Sequence, residues 1–312
     1  MERRTENKIV MVVRRTRLDE LIVRFNTEDQ ARFYVEHLGA DFSDYQEEDR
    51  IYKTAVHFAE KSLSHHGRVQ VIDRSFIPNF IFGSHDTVVA VGQDGLVANV
   101  LKYLNGQLLI GVNPDPKRWE GVLLPFTVSD LNRIILEVFA QKRPIVDVTM
   151  AKAKLNTGET LYAVNDLFIG PRSHTSARYT IHVGERSEYH SSSGIIVSTG
   201  LGSTGWFRSI LSGATGILST LSGQTIDFNE SHGLAWNADY LYFSVREPWP
   251  SKTSKAEITF GNVTHAQPLI LVSQMPENGI IFSDGIESDF IQFNAGTEAR
   301  ISVAQRKGHL VT

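Results

Sequence analysis

The spacing of apolar residues changes near Pro144, and this change constrains the fold more than any other feature of the sequence. Before this point, short apolar runs alternate with stretches in which apolar residues recur every three to four positions. Such alternation predicts a parallel sheet covered by helices. The predicted strands are Lys8–Val13, Arg68–Asp73, 86–91 and 108–112, and the predicted helices are 27–38, 95–104 and 128–141.

After Pro144 the pattern indicates strands almost throughout. Residues 146–155 and 160–169 flank Asn156-Thr157-Gly158-Glu159, a sequence typical of a hairpin turn. Further predicted strands are 178–183, 240–245, 255–260, 269–272 and 280–283. We therefore expect an α/β N-terminal domain with a parallel sheet, residues 1–143, and a β-rich C-terminal domain, residues 144–312.

The composition excludes several classes of function. The 312 residues contain no cysteine, which excludes disulfides, thiolate catalysis and cysteine-bound zinc. A net charge of -4 and a pI near 6.3 argue against a large basic surface for nucleic acid. No apolar run has the length of a membrane span, and the first residues lack the pattern of a signal peptide. We expect a cytoplasmic protein that binds small molecules and neither nucleic acid nor membrane.

A single carboxylate, Asp94, lies between two glycines where a predicted strand gives way to a predicted helix. Loops that follow strands of a parallel sheet lie at its ligand-binding edge. Gly92 and Gly95 have no Cβ atom, so the backbone can approach a ligand, and a helix N-terminus favours an anion such as phosphate. Asp94 can accept a proton from a hydroxyl that attacks a phosphoryl group, or hold a metal ion. A helix cap explains the same residue without any ligand, and both interpretations stay open.

Asn113 begins the turn Asn113-Pro114-Asp115-Pro116 after the next predicted strand. This turn should open at the same edge of the sheet, so Asn113 is a candidate ligand-binding residue. Asn, Asp and Pro also favour turns for local reasons, and the sequence does not separate the two explanations.

The second half contains a glycine-rich segment, GLGSTG at residues 200–205, followed by Trp206. It matches the G-x-G-x-x-G pattern of dinucleotide-binding turns, and Asp227 follows at about the required distance. An NAD(P)-dependent oxidoreductase is therefore one candidate, although the match lies outside the repeated strand-helix units. The hydroxyls of the loop also suit ribose and phosphate oxygens, and Trp206 can stack on an aromatic ring. A structural turn with a core tryptophan is the third explanation.

Asn165 and Asp166 interrupt an apolar stretch that is predicted to be a strand. Polar side chains within a strand cost free energy unless they find partners, and neighbouring strand residues point to opposite faces. At least one of the two is therefore expected to face inward, where it can accept hydrogen bonds from a ribose or an amino group. A bulge or a strand end would explain the pair without a ligand.

Taken in order, these segments resemble the NAD kinase family. The family pattern has a Gly-Gly-Asp-Gly turn, Gly-Val-Asn, an Asn-Glu or Asn-Asp pair after alanine, a Gly-Ser-Thr-Ala-Tyr loop and a C-terminal Asp-Gly. The corresponding segments here are Gly92-Gln93-Asp94-Gly95, Gly111-Val112-Asn113, Ala163-Val164-Asn165-Asp166, Gly202-Ser203-Thr204-Gly205-Trp206 and Asp284-Gly285. The similarity spans about residues 8–300 and is greatest to the animal mitochondrial branch, through segments such as GVNPDPKRWEG and SDGIESDFIQFN.

The resemblance implies a Rossmann-like first domain and transfer of a phosphoryl group from ATP, with Mg²⁺, to the 2′-hydroxyl of the adenosine ribose of NAD. It implies that Asp94 is the base toward that hydroxyl and that Gly92 and Gly95 lie against phosphates. It assigns no metal ligands, and it implies a homo-oligomer, either a dimer or a tetramer. The other residues implied to bind nucleotides are Asn113, Asn165, Asp166, Thr204, Gly205, Trp206 and Ser209.

The sequence departs from the family pattern at three places. Gln93 replaces the second glycine of the turn and adds bulk beside the expected phosphates. Ser193 replaces an aspartate of the bacterial branch. Many members return C-terminally to the first domain, whereas this chain stops at Thr312, soon after the Asp-Gly strand. These departures leave the substrate open. The rival classes beside the kinase are the oxidoreductase and a catalytically silent nucleotide-binding or regulatory protein.

Overall fold

The computed structural model describes residues 7–223 and 234–312, which form two compact units. The first unit comprises the described residues through Val146 together with Gly308–Thr312, and the second comprises Asp147–Lys307. The first combines helices with a parallel sheet and the second consists mainly of strands, so the predicted fold class is confirmed. Within the described residues no helix is long and apolar enough to cross a membrane. The assignment of phosphate binding to residues 1–143 and dinucleotide binding to 144–312 remains a prediction.

The strands and helices are numbered in chain order. The strands are β1 (Lys8–Val13), β2 (Arg68–Asp73), β3 (Thr87–Val91), β4 (Leu108–Asn113), β5 (Phe126–Thr127), β6 (Ile145–Leu155), β7 (Thr160–Ala163), β8 (Asp166–Pro171), β9 (Ala177–Val183), β10 (Arg186–Ser192), β11 (Ile195–Ser198), β12 (Leu241–Val245), β13 (Phe260–Val263), β14 (Leu269–Ser273), β15 (Gly279–Ser283), β16 (Ile286–Gln292) and β17 (Glu298–Val311). The helices are α1 (Arg17–Phe25), α2 (Glu28–His37), α3 (Ser43–Ser64), α4 (Asp94–Leu101), α5 (Leu131–Phe139) and α6 (Trp206–Ser222).

The sheet of the first unit is parallel, in the order β2-β1-β3-β4, with β5 beside the end of β4. Val12 lies opposite Ala90 in this register, so β1 and β3 reach the same edge of the sheet at their carboxyl ends. Strand β3 is buried along its whole length, and side chains of α3 and α5 pack with the sheet in one apolar core. The predicted strand-helix alternation thus positions the turns after β1, β3 and β4 at one edge.

The C-terminus returns to the first unit, which corrects the expectation that this chain stops short of it. His309 and Leu310, in β17, pair in parallel with Leu108 and Leu109 of β4. The pattern of apolar residues could not show this return, because strand partners distant in sequence leave no local signal.

Two helices of the first unit were absent from the sequence prediction. Helix α1 begins at a capping box in which Thr16 and Asp19 each accept a backbone N–H of the other, a signal the sequence contains. Helix α3 has no side-chain cap and is apolar on a narrow stripe only, so its local signal is weak. The predicted cap of α2 is confirmed, since Thr27 accepts the backbone N–H of Gln30.

The second unit contains a six-stranded sheet, β13-β12-β11-β8-β15-β16, in which every neighbouring pair is antiparallel. Strands β10, β9, β14 and the first part of β17 form a second antiparallel set. Side chains from both sets, including Leu167, Val197, Ile181 and Leu271, share one buried core. The outward face of β8 and β15 carries the aromatic residues Phe168 and Phe282 instead.

Two strand predictions in the second unit need correction. The turn at Asn156 is confirmed by β6 and β7, but the second strand of that hairpin stops at Ala163, and β8 joins a different sheet. The strand predicted at residues 255–260 begins only at Phe260. The N–H groups of Glu257 and Ile258 donate to the Glu188 carboxylate instead of to a neighbouring strand.

Candidate functional site

The turn after β3 has the strand-to-helix geometry that the sequence predicts. Val91 is the last residue of β3, Gln93 is the N-cap of α4, and the Gln93 carbonyl accepts the backbone N–H of Leu96 at 2.8 Å. The helix begins at Asp94, one residue before the predicted start. The free N–H groups of this helix end therefore lie beside Gly92 and Gly95, as an anion site requires.

The Asp94 carboxylate is oriented by a loop from further along the chain. The backbone N–H of Leu123 donates to Asp94 Oδ1 at 2.6 Å. Asp94 is the first residue of α4 and not its N-cap, so the side-chain capping interpretation does not hold. Within residues 7–223 and 234–312, no hydrogen bond to Oδ2 is present, and the side chain is half-buried. One oxygen is thus held in place while the second remains able to accept a proton.

Three glycines lie around Asp94, and the structural reason for a glycine differs from one position to the next. A Cβ atom on Gly111 would lie 2.0 Å from the Leu123 carbonyl oxygen, so the loop that orients Asp94 can pass over β4 only at a glycine. A Cβ atom on Gly92 would lie 2.8 Å from a methyl group of Leu96, which is a packing demand of α4. Gly95 is exposed and has open space where its Cβ would be, so nothing within the chain demands glycine there.

Tyr52 connects this turn to the neighbouring strand, and sequence reasoning did not single it out. Its hydroxyl accepts the N–H of Arg14 at 2.8 Å and donates to the carbonyl of Val91 at 2.9 Å. Those two groups lie at the carboxyl ends of β1 and β3. Burial raises the pKa of Tyr52 to about 12, so the hydroxyl keeps the proton that it donates. The spacing of α3 apolar residues would have indicated a core tyrosine but not this bridge.

We expect Tyr52→Phe to loosen the turn, because the Val91 carbonyl and the Arg14 N–H each lose a buried partner. The free energy of unfolding should fall by about 1–3 kcal/mol, and the phosphoryl transfer expected at this turn should slow by roughly tenfold. Tyr179→Phe is the matched control: it removes a buried hydroxyl bonded to Ser192 in the second unit. Chemical denaturation measures the stability of both variants, and initial rates measure their turnover. Equal turnover in the two variants would show that Tyr52 stabilises the fold without positioning the turn.

The side chain of Asn113 makes its hydrogen bonds within the turn that it begins. Its Nδ2 group donates to the Trp119 carbonyl at 2.9 Å, and its Oδ1 accepts the Asp115 N–H at 3.0 Å. The side chain is buried, and these bonds close the loop after β4. The turn-forming explanation therefore accounts for Asn113 fully, and its predicted role in binding nucleotide remains untested.

Asn165 and Asp166 lie where the chain leaves one sheet and enters the other. Asp284, with a positive φ of 56°, accepts the N–H groups of Val164 and Asn165 through Oδ1, at 2.9 and 2.6 Å. The Asp284 N–H in turn donates to the Asp166 carbonyl at 2.9 Å. The Asp-Gly segment near the C-terminus thus has a structural role, because Asp284 stabilises the backbone where the chain passes from β7 to β8.

Asp166 is a buried ionisable group of the second unit. It is 6% exposed, and its Oδ1 atom has no hydrogen-bond partner among the described residues. Burial, and then the nearby Asp284 carboxylate, raise the pKa of Asp166 to about 7. A buried carboxyl with an unused oxygen and a pKa near neutrality is characteristic of a ligand-binding position. The inward orientation predicted for this pair is confirmed for Asp166.

The glycine-rich loop does not have the geometry of a dinucleotide fingerprint. Its preceding strand, β11, is antiparallel to both neighbours, whereas the fingerprint belongs to a parallel strand-helix-strand unit. Cβ atoms on Gly200 and Gly202 would lie 2.0 Å from the Ala235 carbonyl oxygen and 2.1 Å from that of Asn165. These glycines are therefore required by the chain's own backbone. Asp227, the acidic residue of the fingerprint, lies outside the described residues.

Close contacts continue from this loop to the Asn-Asp pair. Thr199 is fully buried; its hydroxyl donates to the Val164 carbonyl at 2.5 Å and its N–H donates to the Asn165 carbonyl at 2.9 Å. With the Gly202 contact, these bonds place the glycine-rich loop directly against Asn165. Two segments that are some 35 residues apart in sequence therefore form one continuous surface in the second unit.

The start of α6 presents the remaining predicted residues. Thr204 and Gly205 are exposed, and Ser209 is an exposed helix residue whose N–H donates to the Gly205 carbonyl at 3.2 Å. Trp206 is half-buried and stacks on Phe168, with ring centres 5.9 Å apart and planes 8° apart. It is not a core tryptophan, because the indole is only half-buried.

Trp206 and Phe168 line a cavity of about 510 Å³ within the second unit. The Arg246 guanidinium lies 5.5 Å from the centre of the Trp206 ring, and Ser193, the departure noted in the sequence, also lines this cavity. Rings that stack beside a guanidinium suit a ligand that carries both an aromatic ring and phosphate. Of the residues predicted to bind nucleotide, Trp206 alone is among the described residues lining this cavity.

Among residues 7–223 and 234–312, no three His, Asp or Glu side chains come together as ligands. Magnesium commonly uses only one or two carboxylates together with phosphate oxygens, so the arrangement suits an ion carried by a bound nucleotide.

Comparison with known proteins identifies the fold. No protein-family model matches the chain, and no curated protein matches its sequence. The crystal structure of an NAD kinase from Archaeoglobus fulgidus in complex with ATP is similar, with a TM-score of 0.57 and 14% identity over 98% of this chain and 93% of that chain. Yeast NADH kinase complexed with NADH is also similar, with a TM-score of 0.57 and 13% identity over 98% and 83% of the two chains. At such low identities the likeness is one of fold, and the chain has the two-domain fold of NAD kinases.

Proposed function

We propose that this protein is an NAD kinase, which transfers the γ-phosphoryl group of ATP to the 2′-hydroxyl of the adenosine ribose of NAD. The observation that carries the proposal is the Asp94 carboxylate, fixed through one oxygen by Leu123 at a strand-to-helix turn. The similar fold of an ATP-bound NAD kinase and of an NADH-bound NADH kinase supports it. The ordered motifs of the sequence point to the same activity. Assignment to the mitochondrial branch of the family is likewise part of the proposal.

In the proposed reaction the ribose oxygen attacks the γ-phosphorus, and the bond to the oxygen that bridges the β- and γ-phosphates breaks. ADP leaves, and the hydroxyl proton passes to the free oxygen of Asp94. In this proposal the first N–H groups of α4, beside Gly92 and Gly95, donate hydrogen bonds to the phosphate oxygens. Mg²⁺ would neutralise phosphate charge while bound mainly by phosphate oxygens and water, with Asp94 the carboxylate available nearby.

The second unit would bind the acceptor. Trp206 offers a half-buried indole and Arg246 a cation beside it, which suit an aromatic base and a phosphate. Asp166, whose pKa is raised to about 7 by burial and by Asp284, can donate a hydrogen bond when protonated or accept one when ionised. Asn165, Thr204, Gly205 and Ser209 complete the proposed dinucleotide-binding set.

An NAD(P)-dependent oxidoreductase is the weaker candidate, because the antiparallel surroundings of β11 remove the fingerprint on which that hypothesis relied. A catalytically silent nucleotide-binding protein is favoured by one observation, the bulk of Gln93 at the phosphate turn. We further propose that the protein works as a homodimer or homotetramer, which light scattering of the purified protein can test.

The activity is tested by incubating the protein with ATP, Mg²⁺ and NAD and detecting NADP by mass spectrometry. NADH should be offered in parallel, since one similar structure is an NADH kinase. We expect NADP, or NADPH from NADH, together with one ADP for each molecule formed. ADP without a phosphorylated dinucleotide would show that the acceptor is another molecule. Absence of both products, with nucleotide binding retained, would favour the silent alternative.

Gln93 provides a second test, of the phosphoryl donor. Its side chain makes no capping hydrogen bond in α4, so its amide is available to donate to a phosphate oxygen. A hydrogen bond to a charged group contributes roughly 1.5–3 kcal/mol, so Gln93→Gly should weaken ATP binding by about ten- to a hundredfold. Calorimetric titration with ATP and Mg²⁺ measures the change. If the wild-type protein binds no ATP and the variant does, Gln93 blocks the site and the silent alternative is preferred.

A further inference from the structure

One cavity of the first unit has none of the Asp94-turn residues in its lining, and its one lining residue predicted to bind nucleotide is Asn113. It is a groove of about 690 Å³ between α3 and the segment that leads into α5, with the turn after β4 at its rim. Its volume is that of an ordinary small-molecule site. Neither Asp94 nor its flanking glycines line it, so the proposed phosphoryl transfer does not explain it.

The floor of the groove is one face of α3. Ile51, Ala55 and Phe58 line it at helical spacing, and Pro114 and Val128 lie on the opposite wall. Phe58 is 55% exposed, which is unusual for a large aromatic side chain in a helix that otherwise packs on a sheet. The groove therefore offers an apolar surface long enough for an aliphatic or aromatic body.

The charged side chains of the groove are all cations. Among the described residues these cations are Arg50 and Lys61; the imidazole of His65 also lines the groove, and no Asp or Glu does. Arg50 is paired with Glu47, but Lys61 and His65 form no ion pair within residues 7–223 and 234–312. Lys61 therefore places a positive charge at one end of the groove, one helical turn from the imidazole of His65. An apolar ligand without a charge would leave these groups unused.

Asn132 adds a hydrogen-bond donor at the same end. Its Oδ1 atom accepts from the Ser62 hydroxyl at 2.9 Å and lies 3.1 Å from Nε2 of His66, which donates to it. Because Oδ1 is occupied in this way, the amide NH₂ is the part of Asn132 that can face a ligand. Asn132 is the second residue of α5, so its position is fixed by the helix.

We infer that this groove binds a small amphiphilic anion, with its apolar body on Ile51, Ala55 and Phe58 and its carboxylate or phosphate head at Lys61, His65 and Asn132. This site is independent of the proposed kinase activity, because it shares no lining residue with the Asp94 turn. Every residue that lines the groove belongs to the first unit, and the occupant lies against the turn that begins at Asn113.

Calorimetric titration of the full chain with decanoate, below its micelle-forming concentration, tests the inference. We expect saturable binding of one decanoate per chain and at least tenfold weaker binding of decanol, which has the same body without the charge. Acetate, which has the charge without the body, should not bind. Decyl phosphate, titrated in the same way, distinguishes a phosphate head from a carboxylate head. Decanol as tight as decanoate, or no saturable decanoate binding, would overturn the inference.

Substitutions locate the binding site without using enzymatic activity. Lys61→Glu should weaken decanoate binding by at least tenfold, and Lys252→Glu, the same charge reversal on an exposed lysine of the second unit, should leave it unchanged. Phe58→Ser should weaken binding similarly, whereas Phe76→Ser, at a phenylalanine that is 65% exposed, should not. Both target side chains are solvent-accessible, so the fold should tolerate their loss, which thermal melting verifies. Equal binding by Lys61→Glu and Lys252→Glu would place the anion elsewhere.

Discussion

Replacing Asp94 with asparagine should lower the rate of NADP formation by about 10²- to 10⁴-fold, the usual contribution of a general base. The amide has nearly the shape of the carboxylate, and its oxygen can still accept the N–H of Leu123, so the loop over Gly111 should stay in place. What the variant loses is the second oxygen as a proton acceptor. Single-turnover measurements with saturating ATP, Mg²⁺ and NAD isolate this step from substrate binding.

Two companion variants make the result specific. Asp115→Asn neutralises another turn aspartate of the first unit, one that pairs with Arg118 at 3.6 Å, and should keep activity within a few-fold of wild type. Asp94→Ala also removes the acceptor for Leu123, so it should lower thermal stability where Asp94→Asn does not. If Asp94→Asn retains nearly full activity while Asp94→Ala loses both stability and activity, Asp94 only orients the loop and is not the base.

Asp166→Asn should stabilise the protein at pH 8 and leave its stability almost unchanged at pH 4. The folded state raises the pKa of Asp166 from 3.8 to about 7, through burial and the neighbouring Asp284. Between these values the unfolded chain has released the proton while the folded chain keeps it, so stability falls as pH rises and stops falling above about pH 7. Asparagine cannot ionise, so the variant escapes a penalty of up to about 4 kcal/mol at pH 8.

Thermal melting across pH 4 to 8 checks this expectation. The melting temperature of Asp166→Asn relative to wild type should rise by several degrees with increasing pH, at about 2–4 °C per kcal/mol for a unit of this size. Asp239→Asn, at a side chain that is 89% exposed, is the control and should show no pH-dependent difference. Parallel melting curves for wild type and Asp166→Asn would mean that Asp166 ionises normally. NAD added to the wild type should reduce the difference if Asp166 contacts it.

Local patterns were sufficient for the alternation of strands and helices in the first unit. Strands β1 and β2 have their predicted bounds, and α4 follows β3 at Asp94 as the run of apolar residues after Gly95 indicates. These elements carry their signal within a few residues, through buried periodicity and capping side chains. The candidate base could be selected for the same reason, because a carboxylate between glycines at a strand end is a local feature.

Features that depend on distant partners could not be predicted. The apolar stretch around Asn165 is continuous in sequence, yet it divides between two sheets because Asp284 binds the N–H groups at the crossing. Tyr52 is an ordinary core residue of α3 until the ends of β1 and β3 meet its hydroxyl. The glycine-rich loop matches a fingerprint in sequence, and only the antiparallel neighbours of β11 show that its glycines accommodate backbone atoms.

The sequence by itself determined the fold class, the order of the motifs and the identity of Asp94 as the carboxylate at the phosphate-type turn. Those properties follow from residue type and from periodicity over one or two turns of chain. Only the tertiary structure decided which oxygen of Asp94 is free, why Asp166 has a pKa near 7 and how the C-terminus reaches β4. All three properties depend on burial or on contacts between residues far apart in sequence. The local pattern encodes neither burial nor such contacts.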